Sequence, residues 1–325
     1  MSDQARLPKI DYAAHPAYGG MLEPHPSFGR LALQVLAPLI DEMRMIEQQK
    51  QERFGYRHGY TEQVGETLVR EGVTTVQLED SALAPIEQAA LPVFRLISRR
   101  LEETRVSGER IKYSTAHQSV GAESHPELWA AIERAMQGHG ALGVTAAYFG
   151  APAAKVVSVG VLLNEANQDW AVRLFRDVDM ESPPTVGFHI DSNGKCFVKA
   201  VLYLSDVGPD QGPFGMVPGS HRWDEGSEDR IFRRAFDKSE LPIRSAKKRR
   251  MFLSLPPELQ VKAEFGGDML PAAPESKMLL DKEFVALGPK GQLNLFDPEG
   301  VHRGGIVRRG ERRVILITMA PVWQG

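Results

Sequence analysis

Two residues in this chain are spaced so that they could hold a metal ion. His189 and Asp191 stand two apart in Thr185-Val-Gly-Phe-His-Ile-Asp-Ser-Asn-Gly194. On an extended segment, residues i and i+2 point to the same side. An imidazole and a carboxylate can therefore meet one cation there. A second histidine, brought close by the fold, would complete two histidines and one carboxylate on one face of an octahedron. That arrangement is the facial triad of non-haem iron(II) oxygenases, and it leaves positions open for a two-toothed cosubstrate and O₂. A His-x-Asp triplet arises easily by chance, so its weight depends on what surrounds it.

The surrounding elements read as strands. From about residue 142 the chain carries β-branched runs, at Lys155–Leu162, Phe197–Leu204 and Val314–Thr318, separated by Gly, Pro, Asp and Asn. The preceding third is helical in pattern. Leu36, Leu39, Ile40, Met43 and Ile46 recur at helical spacing, as do Ile86, Ala90, Val93, Ile97 and Leu101. Pro92 should kink or split the second of these helices. Glu71–Leu78 reads as a short strand between them, and Ser124-His-Pro-Glu127 as a helix start with a capping box. Short strands after a helical preface predict an all-β core, a barrel or jelly roll, with helices packed outside. Residues 222–285 interrupt the β region with charged, partly helical sequence, including Lys247-Lys-Arg-Arg250. An excursion of that length reads as a lid or substrate-shaping insertion, and the basic tetrad as a solvated helix face.

Composition narrows the class. At 325 residues and 42% hydrophobic, the chain can bury a large core. A formal net charge of −3 lacks the basic footprint of a nucleic-acid binder. Cys196 is the single cysteine, so no intrachain disulfide can form, which suits a reducing compartment. Met1–Pro24 shows no basic start followed by an apolar run, and no stretch reaches the ~18 apolar residues of a membrane helix. A cytoplasmic protein acting on a small molecule, without nucleic acid or membrane, is the expectation. The N-terminal helices offer a surface for a homodimer.

The residues around the triplet resemble a known family. Gly187-Phe-His-Ile-Asp191 is followed by Phe197-Val-Lys-Ala-Val-Leu-Tyr-Leu-Ser-Asp-Val207 and then by Gln211-Gly-Pro-Phe-Gly-Met-Val-Pro-Gly-Ser-His221. Nearer the C-terminus stands Asn294-Leu-Phe-Asp-Pro-Glu-Gly-Val-His-Arg-Gly-Gly305, and after it Gly310-Glu-Arg312. This pattern is similar to the phytanoyl-CoA dioxygenase (PhyH-like) family of Fe(II)/2-oxoglutarate-dependent oxygenases. The resemblance implies a double-stranded β-helix. It implies one domain over 1–325, helix-rich over 1–140, with a β-helix core over 142–325 that carries the 222–285 insertion. It also implies that His189, Asp191 and His302 are the catalytic iron ligands, and that 2-oxoglutarate and O₂ are cosubstrates. The far carboxylate of 2-oxoglutarate would meet an arginine, whose fork suits it. Arg312 fits the Gly-x-Arg pattern and Arg313 fits by its distance from His302. Neighbours on a strand face opposite sides, so only one can point inward, and Arg312 is favoured. Arg303, Arg308 and Arg309 read as turn and surface residues, and His221 as a loop or strand-end residue.

The implied reaction is oxidation of an unactivated C–H bond, with 2-oxoglutarate going to succinate and CO₂. Hydroxylation leads, with desaturation or ring formation as variants. Asp191 stands where related halogenases carry a small residue, which argues against halogenation. Two other readings compete. A cupin-like metal-dependent dioxygenase or isomerase would usually show His-x-His and a ligating glutamate. A non-catalytic small-molecule binder of the same fold would have no use for an intact His189, Asp191 and His302. Lys199, Asn164, Gln168, Arg173 and Arg176 are further candidates for contact with cosubstrate or substrate.

Overall fold

The computed structural model describes residues 23–51, 60–109, 111, 113–166, 172–175, 180–182, 188–191, 196–221, 227–239, 246–260 and 279–323. Its elements run α1 (Pro26–Gln51), α2 (Tyr60–Glu71), β1 (Val73–Gln77), α3 (Asp80–Ser107), α4 (Tyr113–Ala116), β2 (His117–Val120), α5 (Pro126–Gly138) and α6 (Ala141–Phe149). Then come β3 (Ala153–Glu165), β4 (Val172–Phe175), β5 (Met180–Ser182), β6 (Val198–Tyr203) and β7 (Phe214–Met216). Helices α7 (Ser227–Ser239), α8 (Ala246–Leu253) and α9 (Pro257–Gln260) follow. The chain closes with β8 (Phe284–Ala286), β9 (Gln292–Phe296), β10 (His302–Arg303) and β11 (Glu311–Val322).

The larger sheet has the order β1–β9–β6–β11–β3–β2, antiparallel at every step. Its spine is the long β11, which pairs with β3 on one side and β6 on the other. Its buried residues Val314, Ile315, Ile317 and Met319 supply much of the central core. A smaller antiparallel sheet has the order β10–β7–β8. From β6 onward the chain passes repeatedly between the two sheets: β6, β9 and β11 lie in the larger, β7, β8 and β10 in the smaller. Both contribute to one core, where Phe214 of β7 lies 4.6 Å from Phe296 of β9, ring to ring. Tyr203 stitches them together. Its hydroxyl donates to the Ala286 carbonyl and accepts from the Phe214 amide, both at 2.9 Å.

Several local expectations give way to tertiary packing. Helix α3 runs unbroken through Pro85 and Pro92. A proline inside a helix costs about 3 kcal/mol, but Leu83, Ile86, Ala90, Val93, Phe94, Ile97 and Leu101 are all buried along it. Each apolar side chain buried is worth about 1.5–3 kcal/mol, so the stripe outweighs the prolines. The capping box at Ser124 does not form. Helix α5 starts one residue later, with His125 at its N-cap and no side-chain cap. Ser124 Oγ instead accepts from the Gly121 amide at 3.1 Å. The β texture expected from residue 142 begins at Ala153, because 141–149 form the apolar helix α6.

The helices are not confined to the N-terminal part. Helices α7 to α9 lie in the 222–285 stretch, and two of them pack on α1. Ala32 and Leu36 of α1 bury against Phe232 and Phe236 of α7 and Phe252 of α8. Ion pairs Arg44–Glu228, at 3.1 Å, and Lys238–Glu42 add to this seam. The basic tetrad is not a uniformly solvated face. Arg249 is fully buried, and Arg250 stacks over Phe28 at 4.7 Å. No helix among the described residues is long and apolar enough to cross a membrane.

Candidate metal centre

His189 and His302 sit directly opposite one another in an antiparallel bridge. Each donates its amide to the other's carbonyl at 2.9 Å. Opposed residues of an antiparallel pair project to the same face, so both imidazoles do, and their ring centroids are 4.4 Å apart. Asp191 follows His189 by two and joins that face. Its amide is tied to the Pro298 carbonyl at 2.8 Å. The alternate residues, Phe188 and Ile190, turn the other way into a buried cluster with Val217, Leu279 and Val301. That cluster is what holds the His189 segment in register.

The ligand atoms converge. One nitrogen each from His189 and His302 and one oxygen from Asp191 all lie within 4.8 Å of one another. His302 Nε2 is 3.2 Å from Asp191 Oδ2, and His189 Nε2 is 3.7 Å from Asp191 Oδ1. Donors about 2.1 Å from a metal at right angles are about 3 Å apart, so the three groups stand close to a facial set. The tautomer of His302 also suits a metal. Its Nδ1 donates to the Gly300 carbonyl at 2.8 Å, so Nε2, 3.2 Å from Asp191 Oδ2, is the nitrogen that would face a metal. His302 is buried, with the Phe296 ring 4.8 Å away.

Lys199 comes from β6 to the same place. Its Nζ donates to Asp191 Oδ2 at 2.7 Å, so it points inward. Burial alone would raise the Asp191 carboxyl. The Lys199 ammonium and the two imidazoles outweigh it and hold the group well below the usual carboxylate range. Tyr113, at the start of α4, belongs to the same neighbourhood. Burial first, then the charge of Asp191, pushes its phenol up to about 12. Nothing in the sequence marks Tyr113. Lys199 shares strand parity with the buried Val201 and Tyr203, but Val198, Ala200 and Leu202 on the other face are buried too, so parity alone leaves its direction open.

The two candidate arginines separate cleanly. Arg312 is 5% exposed and directly opposite Asn164 in the β11–β3 register. Asn164 Oδ1 accepts from its Nε at 3.3 Å and its Nη2 at 2.9 Å. Burial pulls the Arg312 guanidinium down to about 10, which still leaves it charged at neutral pH. Among the described residues no carboxylate pairs with it. Arg313 faces the other way, with Glu311 at 2.8 Å and the Phe94 ring beneath it at 5.7 Å.

Other residues fall outside this centre. His221 is buried and its Nε2 is bonded to the Val69 carbonyl at 3.0 Å. Cys196 is half-buried against the main core. Arg303 is no simple turn residue. It makes two bonds of 2.6 Å to Glu283, whose side chain is 3% exposed, clamping β10 to the segment before β8. Arg173 lies in β4, and Gln168 and Arg176 lie outside the described residues.

Residues 186–314 match the family model described as Phytanoyl-CoA dioxygenase (PhyH). No curated protein sequence matches the chain. Among solved structures, the chain is similar to the non-heme alpha ketoglutarate dependent carbocyclase SnoK from nogalamycin biosynthesis, with 15% identity, 79% of this chain and 82% of that one covered, and a TM-score of 0.45. It is also similar to EctD from S. alaskensis with 2-oxoglutarate and 5-hydroxyectoine, with 13% identity, coverages of 79% and 75%, and a TM-score of 0.47. A third is AviO1 from Streptomyces viridochromogenes Tue57, with 16% identity, coverages of 81% and 96%, and a TM-score of 0.41.

Proposed function

We propose that this chain, PhyH-like from residue 186 to residue 314, is an Fe(II)- and 2-oxoglutarate-dependent dioxygenase that hydroxylates an unactivated C–H bond of a small organic substrate. The observation that carries the reading is the convergence of His189, Asp191 and His302 within 4.8 Å. The two antiparallel sheets, between which β6 to β11 pass repeatedly, support a double-stranded β-helix as the fold behind it.

His189, Asp191 and His302 would hold the iron, and Arg312 the far carboxylate of 2-oxoglutarate. When bound, iron and 2-oxoglutarate supply the O₂-activating chemistry, in which the keto acid is converted to succinate and CO₂ while the substrate C–H bond is oxidised. The chain's own residues prepare that site. The Gly300 carbonyl keeps the His302 proton on Nδ1, so Nε2 is available as a ligand. Asn164 fixes the plane of the Arg312 fork, presenting its remaining N–H groups to a carboxylate. Tyr203, held at both ends of its hydroxyl, closes the wall beside that arginine. Asp191 fills its ligand position with a carboxylate and leaves no room there for a halide, so the outcome is oxidation without halogenation.

The test is spectroscopic. Under anaerobic conditions, Fe(II) and 2-oxoglutarate together should give the purified protein a weak visible charge-transfer band. His189→Ala and His302→Ala should each abolish it. An unchanged band in both variants refutes the ligand assignment. Oxygen consumption that proceeds without 2-oxoglutarate would favour a cupin-like enzyme instead.

A further inference from the structure

Lys199 occupies an unusual position. Its Nζ is 2.7 Å from Asp191 Oδ2, and that same oxygen is 3.2 Å from His302 Nε2. The ammonium therefore sits on the carboxylate oxygen that a metal held by His302 would use. Asp191 is also its one partner among the described residues. The flanking Val198 and Ala200 are buried on the opposite face of β6, so the strand cannot turn the lysine outward without exposing them. Its side chain is 29% exposed, enough to swing its head while the stem stays in place.

A dication at this centre would place two cations against one oxygen. Repulsion at such a distance drives the flexible ammonium off Asp191, and a partly buried charge that loses its partner must find another anion. Charge balance says what kind. Asp191 offsets one unit of the dication's charge, while Lys199 and Arg312 add one each. Even a dianionic keto acid then leaves the pocket one positive charge in excess. Register places the two cations apart: Lys199 is opposite Thr318, and Arg312 lies beyond the Val314–Tyr203 pair, near the other end of the ladder. One short molecule's far carboxylate cannot serve both.

We propose that Lys199, which rests on Asp191 here, is a carboxylate-binding residue of the loaded centre: a bound metal would displace it from Asp191 to pair with a carboxylate beside it. Resting on the functional reading above, this makes the substrate a carboxylate-bearing molecule, unless the near carboxylate of 2-oxoglutarate takes the lysine itself. It distinguishes Lys199 from a residue that merely orients a ligand, because the two roles predict opposite effects on metal binding.

The experiment compares full-length wild type, Lys199→Met and Lys199→Arg in three titrations: Mn(II) followed by EPR, 2-oxoglutarate on the anaerobic Fe(II) protein, and benzoate added to that ternary complex, the last two followed by the charge-transfer band. Lys199→Met should bind Mn(II) at least as tightly as wild type, since a competing cation is gone. It should lose on the order of ten-fold in one carboxylate response, the cost of one charge-assisted hydrogen bond. Loss for 2-oxoglutarate identifies the cosubstrate as the source, and loss for benzoate identifies the substrate. Lys199→Arg should keep both. Ten-fold weaker Mn(II) binding in Lys199→Met, or unchanged responses to both carboxylates, overturns the proposal alone. A wild-type protein that binds no metal overturns the functional reading, and this proposal with it.

Discussion

Replacing Arg234 with methionine tests how the helices of the 222–285 stretch reach the candidate metal centre. Arg234 of α7 donates through Nε to Glu299 Oε2 at 2.6 Å, with Nη2 2.5 Å from the same oxygen. The two side chains are 7% and 8% exposed. Glu299 belongs to the turn that presents His302. Its amide donates to Asp297 Oδ1 at 2.9 Å, Asp297 Oδ2 accepts from Tyr148 at 2.5 Å, and Gly300 in turn holds His302. Removing one partner of a buried pair leaves an uncompensated charge and costs about 3–5 kcal/mol, whereas replacing both by apolar residues is often neutral. Unfolding entropy of about 2.1 cal/mol/K per residue gives a chain of this length about 0.7 kcal/mol/K, so Arg234→Met should lower Tm by about 4–7 °C. The double variant Arg234→Met/Glu299→Leu should recover most of that loss. Because the disturbed turn carries His302, the proposed ligand, Mn(II) affinity should also fall about ten-fold in the single variant, the low end for groups that orient metal ligands. Thermal melts and EPR titrations of the variants measure both. A single variant that loses less than about 1 kcal/mol shows that the pair behaves as a solvated one. A double variant no better than the single shows that packing, and not charge, was lost.

Two further outcomes follow from the same geometry. Arg312→Ala should raise the KM for 2-oxoglutarate in a succinate-release assay on the order of 100-fold, from the loss of ~3 kcal/mol of charged hydrogen bonding, while Arg313→Ala should leave it nearly unchanged because Arg313 is engaged with Glu311 and Phe94; equal effects would reject the inward assignment of Arg312. Burial, and then the charge of Arg100, hold the His117 imidazole below its ordinary value. The folded protein therefore binds that proton less tightly than the unfolded chain does, so its stability should be intact above pH ~6.5 and decline as pH falls below it. His117→Gln should flatten this decline below about pH 6.5 in denaturant titrations, and an identical slope in both proteins would contradict the assignment.

How much of the site a reader could extract from the sequence depends on the range of the interaction involved. Alternation along a strand is local, so the shared face of His189 and Asp191 is legible from their spacing alone. The same rule says that Arg312 and Arg313 diverge, but not which turns inward. That choice is made by Asn164, 148 residues away, which stands opposite Arg312 across β3. Lys199 is an intermediate case. It shares parity with Val201 and Tyr203, yet the other face of its strand is as apolar and a lysine on a strand is ordinarily a solvent-facing charge; only the carboxylate at its head overrules that expectation. His302 meets Asp191 across 111 residues through a two-residue bridge; no periodicity encodes such a meeting. The prolines of α3 err in the opposite direction. Pro85 and Pro92 speak strongly and locally against a continuous helix, and the stripe from Leu83 to Leu101, buried against elements far away in sequence, overrules them. The seam between α1 and α7 is non-local for the same reason: neither Leu36 nor Phe236 carries any sign of its partner. It follows that the residues most worth probing in this chain are those where a local rule and a distant partner disagree, and at the metal centre that residue is Lys199.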